Sequence, residues 1–144
     1  MVIADTGFFL AIAHTRDKFH QKAVQRFSEL QGETLITTWP VMAETCHLLL
    51  HRVGEAGPTK FLQTVSTGAV EVFDLQASHL PRIVELMETY TNLPMDLADA
   101  SMVILAEHLG HGRILSTDQR DFGAYRWKQR EPFENLRTLG DPPP

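Results

Sequence analysis

A chain of 144 residues with 43% hydrophobic and 22% charged side chains has the make-up of one ordinary globular domain, large enough for a single core. Its formal net charge of −5 supplies no global basic field, which argues against a passive polyanion binder but not against a nuclease with an acidic metal pocket. The one cysteine, Cys46, makes no internal disulfide and suits a reducing, cytoplasmic setting; no signal-peptide pattern appears, and no apolar run nears the ~20 residues of a membrane span.

Residues 1–4 read as a short buried strand that ends at Asp5-Thr6-Gly7 and turns at once into an apolar helix from Phe8. Asp17 to Leu30 carries Phe19, Ala23, Val24, Phe27 and Leu30 at helical spacing. Glu33 to Thr37 is a second strand, and Pro40 stands at the head of a helix that runs to about Arg52. Gly57-Pro58 breaks the chain before a short helix over Thr59 to Thr67. Val70 to Phe73 is a third strand, followed by an amphipathic helix from Gln76 to Thr91. A long apolar helix opens at Pro94-Met95-Asp96 and stops at Gly110. Arg113 to Ser116 is a fourth strand, and Glu134 to Leu139 a last one. Strands alternating with helices predict a three-layer α/β/α sandwich, with a mainly parallel sheet of four to five strands. Residues 1–140 form the expected single domain, and 141–144 a frayed proline tail.

The helix after Pro94 is apolar nearly all round, which marks a buried element, yet Asp96 and Asp99 occupy its first turn. Helix capping is the simple account of Asp96, less so of Asp99 one turn inside. Three further acids sit at comparable places. Asp5 ends the first strand, where it could equally cap the next helix, and Asp118 ends the fourth; Glu44 lies in an early turn of the Pro40 helix. In a parallel sheet the carboxyl ends of strands and the amino ends of helices share one edge, so Asp5, Glu44, Asp99 and Asp118 can converge there. Carboxylates so close repel unless a hard cation such as Mg²⁺ or Mn²⁺ joins them. Such a site suits phosphodiester hydrolysis by metal-activated water. Glu107 shares a face with Asp99 but lies about 12 Å further along the axis, too far for the same ion.

Val2-Ile3-Ala4-Asp5-Thr6-Gly7, Val41-Met42-Ala43-Glu44, Asp96 to Ser101 and Leu115 to Phe122 resemble the four acidic motifs of PIN-domain ribonucleases, above all the VapC-type toxins of bacterial toxin–antitoxin pairs. The likeness covers nearly the whole chain in order. It implies a PIN-like fold, Asp5, Glu44, Asp99 and Asp118 as a Mg²⁺-binding catalytic quartet, and endoribonucleolytic cleavage of structured RNA. It also implies a cognate VapB-type antitoxin and a homodimer. Asp96 and Asp121 match acids found in many members and rank as auxiliary. Thr6 and Thr117 flank the first and fourth acids, where a hydroxyl can orient a carboxylate, although ordinary turn packing accounts for them as well. The local basic cluster holding Arg120, Arg126 and Lys128 offers a weak substrate surface, or a solvated loop.

Other readings lack parts. Glu44 to His47 has the Glu-x-x-His spacing of di-iron bundles, but no second copy exists. His47 and His51 lack further zinc ligands. An aspartyl-phosphate mechanism at Asp5 lacks a second acid at position 7, which is Gly7, and a lysine after the last strand. The alternative from a different class is a catalytically inert PIN-like module that binds a partner or RNA.

Overall fold

The computed structural model describes residues 1–30, 32–117 and 119–136, the side chains of 119–121 excepted. A five-stranded sheet is made of β1 (Val2–Ala4), β2 (Leu35–Thr38), β3 (Val70–Phe73), β4 (Arg113–Leu115) and β7 (Glu134–Asn135). Its order is β3-β2-β1-β4-β7, and every neighbouring pair is parallel. The helices α1 (Thr6–Ala13), α2 (His20–Glu29), α3 (Trp39–Arg52), α4 (Ala56–Thr64), α5 (Leu80–Thr89) and α6 (Leu97–Leu109) cover its two faces. The expected α/β/α sandwich is the one found.

Central position explains composition. β1 pairs with β2 on one side and β4 on the other, and its Val2, Ile3 and Ala4 are wholly buried, as an unbroken apolar run in a parallel sheet must be. Buried Thr37 keeps its hydroxyl satisfied by donating to the Ala4 carbonyl at 2.8 Å. In α6, apolar on most sides, the residues from Ala100 to Ala106 are all buried, and Gly110 ends it in the left-handed region at φ 78°.

Thr38 fixes the two helices that carry predicted acids. Its hydroxyl caps α3 by accepting from the Val41 amide at 3.4 Å and stands 2.6 Å from Ser101 Oγ. Ser101 in turn donates to the Ala98 carbonyl at 2.6 Å. A buried hydroxyl pair therefore locks the amino ends of α3 and α6 together at the sheet edge.

Differences from expectation are local. α4 begins at Ala56 rather than Thr59, because Pro58 falls in the first turn, where no backbone N–H is required. The Gln76 helix opens with a tight turn over Ala77–His79 before α5. After β4 come a short helix α7 (Gln119–Ala124) and an antiparallel ribbon of β5 (Arg126–Trp127) and β6 (Glu131–Pro132). The ribbon escapes a sequence reading because its strands are two residues long. Its turn also uses positive φ at Lys128 (48°) and Gln129 (66°), without the Asn, Asp or Gly that normally signals it. The predicted end of the last strand at Leu139 and the 141–144 tail lie outside the described residues.

Candidate active site

From β1 the chain moves outward through β2 and β3, then returns to place β4 on β1's other side. The connections leaving β1 and β4 diverge, and a crevice opens beyond their carboxyl ends, where open α/β sheets bind ligands. A cavity of about 210 Å³ lies there, lined by Asp5, Thr6, Gly7, Glu44, Asp99 and Thr117 over an apolar floor that includes Val41, Met102 and Phe122. Three acids from three separate elements thus meet in one cavity. Asp118 lies outside the described residues, as do the side chains of Arg120 and Asp121.

Asp5 is only 6% exposed. Oδ1 accepts from the Phe8 amide at 3.1 Å and so caps α1, while Oδ2 accepts a short hydrogen bond from the Ser116 hydroxyl. Capping and lining the cavity are both true of it. Ser116 is itself braced by Asn135, whose side-chain amide exchanges hydrogen bonds of 3.3 Å with the Ser116 backbone N–H and carbonyl.

Asp96 and Asp99 form a reciprocal cap at the start of α6. The Asp99 amide donates to Asp96 Oδ1 at 2.8 Å, and the Asp96 amide reaches Asp99 Oδ2 at 3.4 Å. Asp96 is exposed as the capping residue, whereas Asp99 is half-buried against the cavity. Asp99 Oδ2 also accepts from the phenol of buried Tyr125 at 3.3 Å.

Glu44 is half-buried in α3. Burial raises its carboxyl above the usual range; the charge of Asp96 adds to the rise, and a hydrogen bond with Thr6 opposes it. The cavity is therefore a poor host for bare negative charge.

Gly7 lets the walls close. A Cβ there would stand 2.1 Å from Thr117 Oγ1, 3.3 Å from Thr117 Cβ and 3.6 Å from Asp5 Oδ1. Gly7→Ala is expected to cost about 1–3 kcal/mol in urea unfolding, the usual toll of overpacking. It should also turn Thr117 away from Asp5. An unchanged unfolding midpoint would show that the contact yields freely.

Among the described residues, neither Arg126 nor Lys128 lines the cavity. The Arg126 guanidinium donates to the carbonyls of Gly123, Ala124 and Tyr125 at 2.9–3.1 Å and closes the end of α7. Lys128 Nζ lies 5.7 Å from the centre of the Trp127 ring. Glu107 takes no part in the cavity: Arg82 grips it at 2.8 and 3.1 Å, and the Lys128 amide donates to it at 2.5 Å. Burial alone would raise its carboxyl, but the Arg82 hydrogen bond, the Lys128 amide and the Arg82 charge bring it below the usual range.

Ser116 and Tyr125 are the contributors that sequence reasoning misses. For Ser116 a signal exists, since it lies two residues before Asp118 at the end of β4. For Tyr125 none exists, because it sits in the unpredicted turn after α7.

All donors at the cavity rim are hard oxygens, carboxylate or hydroxyl, which fits Mg²⁺ or Mn²⁺ rather than a thiophilic ion. Among the described residues, no three histidine, cysteine, aspartate or glutamate side chains close on a single ion position.

The family model for the PIN domain matches residues 2–128. Ribonuclease VapC26 of Mycobacterium tuberculosis is 28% identical over 125 residues, covering 87% of this chain and 92% of that protein. The crystal structure of Mycobacterium tuberculosis VapC20, a toxin that cleaves the sarcin–ricin loop, superposes with a TM-score of 0.77 at 18% identity. That superposition spans 83% of this chain and 92% of the other.

Proposed function

The chain belongs to the PIN-domain family and is related to the mycobacterial VapC-type toxins; from that premise we propose that it is a Mg²⁺- or Mn²⁺-dependent endoribonuclease, the toxin half of a toxin–antitoxin pair. The observation that carries this reading is the meeting of Asp5, Glu44 and Asp99 in one cavity at the sheet edge. Asp118, three residues beyond β4 in the sequence, is proposed as the fourth acid, with Asp96, Asp121, Thr6 and Thr117 in support.

When bound, a divalent cation supplies Lewis-acid stabilisation of phosphodiester charge and lowers the pKa of an attacking water. The protein's own groups prepare for it. Ser116 and the α1 amino end hold Asp5 in one orientation. Glu44, whose carboxyl burial holds above the usual range, would have to be ionised to serve as a ligand, so cation affinity would rise with pH through that range. The apolar floor under the acids keeps bulk water from one side of the site.

The partner assignments have surfaces to match. An apolar groove of about 540 Å³ runs among α1, α2, α3 and α4, lined by Phe8, Phe9, Ile12, Phe27 and Phe61 with Lys60 at its side. It suits an amphipathic helix such as a VapB-type antitoxin would provide. Trp39 and Leu50 on α3, with Val53 just past its end, stay exposed and offer a face for a second copy. Structured RNA is the proposed substrate. No helix among the described residues is long and apolar enough to cross a membrane, and the proposed location is the cytoplasm.

Purified protein is expected to cut structured RNA with Mg²⁺, to stop in EDTA, and to resume when Mn²⁺ is added in excess. The inert-module reading draws on the lack of a closed three-ligand group among the described residues. Metal-independent RNA binding without cleavage would select it.

A further inference from the structure

We propose that Tyr125 is a positioning residue for Asp99, holding that carboxylate for the divalent cation; the inference rests on the metal-nuclease reading above.

Tyr125 is 0% exposed, and a residue so placed would normally be a plain core aromatic. Its ring is gripped edge-on by Tyr90, with centroids 5.0 Å apart, and by Phe122 at 5.4 Å. A phenylalanine would bury the same ring without bringing a hydroxyl into the interior, where it must find an acceptor. The hydroxyl has two within reach, Asp99 Oδ2 at 3.3 Å and the Pro94 carbonyl at 3.4 Å. One phenol proton serves one acceptor at a time, and an ionised carboxylate is the stronger acceptor.

The phenol is fixed in place by the chain that follows it. The Arg126 amide donates to the Tyr90 hydroxyl at 2.8 Å, and the Lys128 amide to Glu107 Oε2 at 2.5 Å. Residues 125–128 therefore lie along α6 as a strap, with one end at Asp99 and the other at Glu107. The eight helical steps from Asp99 to Glu107 span about 12 Å, and three extended steps span about 10 Å. Arg82 holds Glu107 from the other side, so the far end of the strap cannot slide. The Tyr125 phenol and the Asp96 amide both donate to Oδ2 of Asp99. Rotation of the carboxylate is thus resisted at that oxygen. Outer hydrogen bonds of this kind orient metal ligands, and their loss typically lowers metal affinity about 10–100-fold.

The test is Mn²⁺ binding by the RNA-free protein, followed by electron paramagnetic resonance, for wild type, Tyr125→Phe and Phe133→Leu. Phe133 packs on Phe122 one ring further out. Tyr125→Phe is expected to weaken Mn²⁺ binding at least tenfold while lowering the melting temperature by less than about 4 °C. Phe133→Leu should lower melting and keep Mn²⁺ affinity within twofold. In cleavage assays Tyr125→Phe should lower kcat without raising KM for RNA. Wild-type binding with Tyr125→Phe equal to it would overturn the positioning role and leave the nuclease reading standing. A loss of affinity in both variants that tracks their melting would reduce Tyr125 to a core residue. No Mn²⁺ binding by the wild type would overturn both readings.

Discussion

Asp99→Asn is expected to cut RNA cleavage by at least about 10²–10³-fold, the scale seen when one preorganised electrostatic group is removed from an active site, while leaving the fold in place. The carboxamide keeps the shape of the carboxylate and an oxygen that can accept from Tyr125 and from the Asp96 amide, so the α6 start should survive. What it loses is the charge. A structural acid behaves otherwise, since its neutralisation would show mainly in melting. Glu44→Gln provides the complementary measurement. An acid raised in the folded state holds its proton more tightly there than in the unfolded chain. Its contribution to stability is fully present below the ordinary value of 4.5 and is lost as pH rises through the raised value. Metal-free wild type should therefore melt at lower temperature as pH climbs across that window, and Glu44→Gln should flatten the decline while abolishing cleavage. Circular dichroism in EDTA, paired with an RNA cleavage assay in Mg²⁺, reads both. Full activity in either variant would remove that residue from the site.

Leu105→Ala should do the reverse. Leu105 is 0% exposed in the middle of α6, and deleting such a side chain costs about 2–5 kcal/mol, part of it from the cavity left behind. For a domain of this size the melting point should fall on the order of 10 °C. Cleavage per folded molecule at low temperature should stay near wild type, because the mouth of the cavity is set by the opposite end of the helix. A neutral Leu105→Ala would contradict the burial of α6. The two substitutions together separate the supporting rod from the chemistry at its tip.

The sheet and the helix sequence were legible because burial imposes period and composition. Val2-Ile3-Ala4 and Val70 to Phe73 read as strands without ambiguity, and Gly110 marks the end of α6 by its left-handed backbone. Three acids could be placed on one edge from topology alone, since strand ends and helix starts must lie together in a parallel sheet. Hydrogen-bond reciprocity was less accessible. Asp96 and Asp99 both serve the cap, and only their exposure separates them, which depends on what packs against the turn. The region after β4 resisted for a simpler reason. Two-residue strands carry no periodicity, and the turn at Lys128-Gln129 is held from outside by Glu107 and by Glu85, which accepts from the Gln129 side chain at 3.0 Å. Arg126 looked like part of a basic surface because charge is visible in sequence, whereas its use as the closing group of α7 is not.

The bond between Ser116 and Asp5 joins positions 111 residues apart. Peptide synthesis proceeds at about 5–20 residues per second, so a nascent chain carries Asp5 for many seconds before its neighbouring strand exists. Throughout that interval the central strand has one open flank and the acid-lined crevice has only one of its walls. The acid-lined cavity is thus one of the last features of the chain to be completed as it is made.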